Sequence, residues 1–169
     1  MTCQSAVHQG VATAIQALSV AARMEPVELI RDTALLEGTA YFEFQPGPYQ
    51  GNQWTRDSVF LAEEVFCYFE PVITRHHSEF DHYNFSVIPV STWKGILSDL
   101  EEIAASARAA TCVADLRRAD VGFHRAGLDS EVEGNFRSNS DALSKLAHEL
   151  AVWVRDQPRD HECVSVLGM

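Results

Sequence analysis

The densest group of side chains able to do chemistry lies between positions 76 and 82. Three histidines and two carboxylates fall within seven residues, namely His76, His77, Glu79, Asp81 and His82. Imidazole and carboxylate ligands suit zinc, iron or nickel. The spacing lacks the H-E-x-x-H pattern of metalloproteases, and the sequence offers no evident companion ligand. Two interpretations stay open, a transition-metal site and a polar connector between a helix and a strand. We expect the connector, with no bound metal and no cofactor.

Two adjacent carboxylates, Glu63 and Glu64, lie in an otherwise apolar segment. Acid–base catalysis needs two titratable groups that converge on a pocket, and a buried glutamate with a raised pKa would point to function. An exposed pair or a structural salt bridge is the alternative. We expect one of the two side chains to point inward or towards a groove, because the apolar positions around them leave only a narrow polar face.

The motifs for nucleophilic catalysis and for phosphate binding are absent. The sequence has no G-x-S-x-G elbow, no G-x-G-x-x-G and no G-x-x-x-x-G-K. Of the four cysteines (Cys3, Cys67, Cys112 and Cys163), none forms a C-x-x-C pair. Cys67 and Cys163 lie in apolar runs, which predicts free buried thiols and a reducing, cytoplasmic location. We therefore predict no catalytic residue and a protein that is not an enzyme.

The net charge of the chain narrows the classes of partner. Asp and Glu total 24 against 13 Lys and Arg, which gives −11 at pH 7. Binding to a phosphate backbone requires clustered Lys and Arg, and Arg117-Arg118 is an isolated pair. Nucleic acid and anionic membranes are therefore excluded as expected partners, whereas a basic protein is favoured. Solubility alone is the other explanation of the acidity.

The N-terminal part of the chain is predicted to be helical. Apolar residues recur at helical spacing over 5–23, at Val7, Val11, Ile15, Leu18 and Ala22. A second short helix is predicted over 26–38, so that 1–37 forms a helical N-terminal extension. The stretch 11–22 lacks a basic flank and is broken by polar residues, so we expect neither a signal peptide nor a membrane span.

The middle of the chain alternates between strand and helix patterns. Aromatic residues alternate over 39–45, which predicts a strand, and the Pro- and Gly-rich run 45–52 predicts a loop. A deeply buried helix is predicted from Thr55 to Ile73, and Pro71 should kink or divide it near Glu70. A further strand over 84–88 should end at Pro89.

The C-terminal half is mainly helical in pattern. A helix capped by Ser91 or Thr92 should carry one apolar face that includes Trp93. Residues 117–138 are predicted to form a long exposed loop. Helix 141–155 with Ser140 as its cap and a strand over 163–167 complete the pattern. The expected fold is a single α+β domain over 1–169, with about four or five helices packed on one face of a small sheet of short strands.

Three segments together resemble a known class of small proteins. They are Trp54 to Tyr83, then Ile88-Pro89 leading to Trp93, and Leu150 to Trp153 followed by Val164 to Gly168. The chain from about Phe42 onward resembles immunity proteins of contact-dependent growth inhibition and related polymorphic toxin systems. The resemblance implies a cytoplasmic protein that binds a cognate toxin domain tightly and blocks its active site. It assigns no role to any residue.

Acidic side chains are the expected contacts with a basic toxin domain, because complementary charge accelerates association. Charge and expected exposure select Glu25, Glu28, Asp99, Glu101, Glu102, Asp129, Glu131 and Glu133. Two other functions stay open: a metal-dependent enzyme that uses the histidine run at 76–82, and a structural or regulatory module that dimerises through its N-terminal helix. Aromatic residues around the Pro/Gly loop, namely Phe42, Phe44, Tyr49 and Trp54, are either interface anchors or core.

Overall fold

The computed structural model describes residues 26–119, 121–122, 135–157 and 161–168. These residues form an α+β fold with five α-helices, as predicted, and an antiparallel sheet of four strands, one more than the sequence predicted. The predicted helix over 5–23 and most of the central part of the predicted loop 117–138 lie outside the described residues. No helix in the described ranges has both the length and the hydropathy needed to cross a bilayer.

The elements follow one another from Tyr41 to Leu167. The strands are β1 (Tyr41–Pro46), β2 (Val59–Ala62), β3 (Phe85–Pro89) and β4 (Cys163–Leu167), and their order across the sheet is β2-β1-β4-β3. The helices are α1 (Glu63–Phe66), α2 (Glu70–His76), α3 (Val90–Ala109), α4 (Val113–Arg118) and α5 (Phe136–Asp156). The C-terminal strand β4 therefore lies between β1 and β3, and β3 forms one edge of the sheet.

One face of the sheet carries the core. Side chains alternate along a strand, so Phe42 and Phe44 of β1 point to the helices while Glu43 and Gln45 point to the opposite face. The ring of Phe42 stacks on Phe66 of α1 at 3.7 Å between centroids. We call the face with Glu43 and Gln45 the outer face.

Helices α3 and α5 form a closely packed pair. Ser140 and Ser144 of α5 donate their hydroxyl hydrogens to the carbonyl oxygens of Ala107 and Ala104 in α3. Both serines are buried, and small side chains at the contact allow the two backbones to approach. The prediction that Ser140 caps this helix is wrong, because the helix begins one turn earlier, at Phe136.

The prediction of a helix that begins at Thr55 is wrong, although the burial of this segment and its division near Glu70 are confirmed. Val59–Ala62 is strand β2, and its four residues are all buried. A short run that is apolar at every position fits a buried strand as well as a buried helix. Helix begins only at Glu63, and Pro71 lies in the first turn of α2, where a proline needs no N–H partner.

The segment 26–38 is not the predicted helix. It contains a 3-10 turn at Thr33–Leu35, where the side chain of Asp32 accepts a 2.9 Å hydrogen bond from the N–H of Ala34. Ile30 instead pairs with Phe60 through N–O distances of 3.0 Å and 2.8 Å in the two directions. The segment thereby adds a short bridge beside β2.

Two further boundaries differ from the sequence interpretation. Helix α3 starts at Val90 directly after Pro89, without a side-chain cap from Ser91 or Thr92. The prediction of an exposed loop over 117–138 is wrong at both ends, where α4 and α5 extend into this segment, and at Gly122, which is buried. A Cβ at Gly122 would lie 2.1 Å from the carbonyl oxygen of Cys67, so only glycine fits there.

Candidate protein-binding surface

The histidine run at 76–82 connects α2 to β3, and its members turn in different directions. Nε2 of His76 lies 2.9 Å from Oδ2 of Asp99, which also receives a 2.7 Å hydrogen bond from Arg75. His77 is the C-cap residue of α2 and bonds to the helix through its backbone N–H, whereas the side chain of His82 points inward. Within the described ranges, no group of three or more His, Cys, Asp or Glu side chains is placed to hold a metal ion.

His82 lies between two carboxylates. Its Nδ1 is 2.9 Å from Oε1 of Glu70, and its Nε2 is 3.6 Å from Oε1 of Glu63. The ring stands edge-on to Phe42, with 4.8 Å between centroids. Glu63 is buried and Glu64 is half-buried, which confirms that one of the two points inward. The cluster ties the turn before β3 to α1 and α2.

Burial controls the chemistry of two thiols. Burial, followed by the negative charges of Glu70 and Glu64, raises the pKa of Cys67 to about 11. Burial and Glu162 also raise the pKa of Cys163, which is only half-buried. Both thiols stay protonated at neutral pH and are poor nucleophiles. The prediction of a buried thiol is confirmed for Cys67 and wrong for Cys163.

A loop over residues 47–58 covers part of the outer face of the sheet. Glu43 is buried, and its carboxylate accepts hydrogen bonds from the N–H groups of Trp54 at 2.7 Å and Thr55 at 3.1 Å. The hydroxyl of Ser58 donates to the same carboxylate at 2.6 Å. These three bonds satisfy a charge that would otherwise be costly to bury.

Two more polar side chains of the outer face hold this loop. Nε2 of Gln45 donates to the carbonyl of Asn52 at 3.0 Å, and the hydroxyl of Ser165 donates to the carbonyl of Gly47 at 2.7 Å. Both side chains are buried. The polar groups of the outer face therefore serve to fix the loop.

The four aromatic residues around the loop divide into two pairs. Phe42 and Phe44 belong to the core, whereas Tyr49 and Trp54 belong to the covering loop. Trp54 stacks obliquely on Phe60 at 5.8 Å and has a φ of 62°, which costs backbone energy in a residue other than glycine.

An exposed apolar patch lies along β3 and the turn before it. Tyr83 is 71% exposed, Phe85 38% and Val87 45%. Phe85 and Val87 project from the outer face because they alternate with the buried Ser86 and Ile88 of the same strand. We call Tyr83, Phe85 and Val87 the edge patch.

Carboxylates flank the edge patch at both ends. Glu79 and Asp81 are exposed in the turn before β3, and Asp81 accepts a 3.0 Å hydrogen bond from the N–H of Tyr83. Glu162 is exposed at the other end, where its carbonyl receives the N–H of Val90. An apolar centre with a charged rim is the usual anatomy of a protein interface.

No known protein family, curated protein or solved structure matches this chain. The resemblance to immunity proteins therefore stays a prediction.

The acidic residues predicted as contacts are dispersed. Glu28 and Glu102 are exposed, whereas Asp99 and Glu101 form ion pairs with Arg75 and Arg155. The others lie outside the described residues, namely Glu25, Asp129, Glu131 and Glu133. Two of the three α3 carboxylates predicted as partner contacts thus form ion pairs with arginines of the same chain. The sequence interpretation did not select the edge patch or its flanking carboxylates.

Proposed function

We propose that this protein is a non-catalytic inhibitory binding protein of the immunity type. It neutralises a basic toxin domain in the cytoplasm by tight, direct contact. The observation that carries the proposal is the edge patch with carboxylates at both ends. Exposed aromatic side chains are typical anchors of binding energy, and a charged rim around them selects partners of opposite charge.

The charge balance of the described residues supports a basic partner. They include 18 acidic and 10 basic side chains, so their formal balance is 10 − 18 = −8. Five of these basic side chains, Arg75, Arg118, Arg137, Lys145 and Arg155, are within ion-pair distance of carboxylates of the same chain. Much of the positive charge is thus neutralised by carboxylates of the same chain. The net negative charge that remains attracts a cationic partner and accelerates its association with this protein.

The roles of the buried polar groups also favour binding over catalysis. Glu43 holds the covering loop, and the contacts of His82 with Glu63 and Glu70 hold the turn before β3. Free thiols at Cys67, Cys112 and Cys163 suit a reducing cytoplasm. These groups build and support a surface.

Co-expression tests the proposal. The chain is produced together with the C-terminal region of the protein encoded by the adjacent gene, and cell growth and co-purification of untagged material are scored. We expect growth to be restored and a stoichiometric complex to be recovered. Tyr83→Ala should weaken both effects, whereas Leu35→Ala, at another exposed apolar residue, should not. A harmless or non-binding neighbour contradicts the proposal.

A further inference from the structure

Strand β3 lies at an edge of the sheet, and the backbone N–H and C=O groups of every second residue in it point to the open edge. The N–H of Gly168 donates to the carbonyl of Asn84 at 3.1 Å, and that of Val90 donates to Glu162 at 3.0 Å. Hydrogen-bonded pairs in an antiparallel ladder recur at every second residue. The even-numbered residues of β3 therefore bond to β4, and the backbone groups of Phe85 and Val87 point away from it.

In the central part of this edge, backbone N–H and C=O groups are not paired with another strand of the described ranges. Phe85 donates its N–H to the side chain of Asn84 at 2.8 Å, and Pro89 has no N–H. Between them, the N–H and C=O of Val87 and the C=O of Phe85 face the edge. No other strand in the described ranges pairs with this side of β3. Proteins usually protect such edges, and here only the two ends are protected.

We propose that the toxin domain pairs an extended, Lys- or Arg-containing segment with the edge of β3 along Phe85–Val87. This inference rests on the proposed function and specifies how the partner binds. Strand addition supplies affinity through main-chain hydrogen bonds and specificity through alternate side chains. Apolar side chains of the added strand would pack beside Phe85 and Val87 on the outer face.

The charges around the edge select this occupant. Glu79 and Asp81 lie at one end and Glu162 at the other, and the exposed Lys94 lies about one turn into α3. Cationic side chains on an added strand can reach carboxylates at either end. A second copy of this chain would bring the same carboxylates against them, and facing like charges are destabilising.

Substitution at position 87 separates backbone pairing from side-chain contact. Val87→Pro removes an N–H that points to the edge, while the bonds of Ser86 and Ile88 to β4 stay available. Val87→Thr keeps both the N–H and the β-branched shape. Binding of each variant to the purified C-terminal region of the adjacent-gene protein is measured by titration calorimetry. We expect Val87→Pro to raise the Kd about tenfold or more and Val87→Thr to change it much less.

Hydrogen exchange of the wild-type protein supplies a test that needs no variant to fold. The amide of Val87 should exchange rapidly in the free protein and slowly in the complex, while the amide of Ile88 is protected in both. Unchanged exchange at Val87 in the complex, or equal losses of affinity in the Pro and Thr variants, would overturn edge pairing and leave the proposed function standing. Absence of binding by the wild type overturns both. A free protein that dimerises through β3, with the dimer abolished by Val87→Pro, would overturn the basic strand as occupant.

Discussion

The backbone N–H of Trp54 donates a 2.7 Å hydrogen bond to Oε2 of Glu43, eleven positions earlier in the chain. This bond joins the loop 47–58 to β1, the strand that carries Glu43, on the outer face of the sheet. Trp54 then covers Phe60, and Tyr49 packs edge-on against one side of Phe85 at 4.7 Å between ring centroids. The loop is therefore a structural layer that supports one side of the edge patch.

Replacing Glu43 should destabilise the fold. Glu43→Gln leaves a donor amide facing at least one N–H, so the free energy of unfolding should fall by about 1–3 kcal/mol, the cost of an unsatisfied buried group. Urea denaturation measures the change. Glu37→Gln, at an exposed glutamate, is the matched control and should have no effect. Equal stabilities for the two variants would show that the loop is held by other contacts.

The packing between α3 and α5 should not accept a larger side chain. Ala147 of α5 is completely buried, so Ala147→Leu should lower the free energy of unfolding by about 1–3 kcal/mol through overpacking. Ala105→Leu, at an exposed position on α3, should be nearly neutral. Thermal and urea unfolding of both variants test this. A neutral Ala147→Leu would mean that the two helices are not in close contact.

Stability should depend on the protonation of Cys67 at alkaline pH. Its pKa is raised to about 11 from an ordinary value of 9.0. The unfolded chain therefore loses the thiol proton first, so this contribution to stability is present below pH 9 and is lost as the pH rises towards 11. Cys67→Ala should flatten that decline, and Cys112→Ala, at an exposed cysteine, should not. Urea denaturation across this range measures both, and identical alkaline profiles for wild type and Cys67→Ala would contradict the assignment.

Charge reversal locates the acidic surface that guides association. Glu79→Lys with Glu162→Lys should lower the association rate constant about tenfold at low ionic strength and weaken its salt dependence. Glu28→Lys with Glu102→Lys reverses the same number of charges at residues selected from the sequence. Stopped-flow or surface-based kinetics compare the pairs. A larger effect from the second pair would move the interface away from β3.

The elements with clear periodicity could be predicted from the sequence. Helices α3 and α5 have one apolar stripe each, and β1, β3 and β4 have strand-like composition with recognisable ends. Strand β2 could not be predicted, because the run Val59–Ala62 is buried on both faces and shows no alternation. Its state is decided by pairing with β1 and Ile30, which are distant contacts.

The candidate site was harder to predict from the sequence than the helices, because it too depends on contacts between distant parts of the chain. The inward direction of one carboxylate at 63–64 and the low reactivity of Cys67 follow from their local apolar context. The exposure of Phe85 and Val87 depends on β4 entering the sheet between β1 and β3. Strand order is a property of the whole fold, so a strand pattern at 84–88 indicates an element without indicating an edge.

The most direct test of the proposed binding surface is the Kd of the purified protein for the C-terminal region of the adjacent-gene protein, measured for wild type, Tyr83→Ala and Leu35→Ala. We expect a one-to-one complex with a Kd that rises about tenfold or more in Tyr83→Ala and is unchanged in Leu35→Ala. Absence of a complex, or equal affinity in all three proteins, would contradict the claim that the edge patch binds a toxin domain.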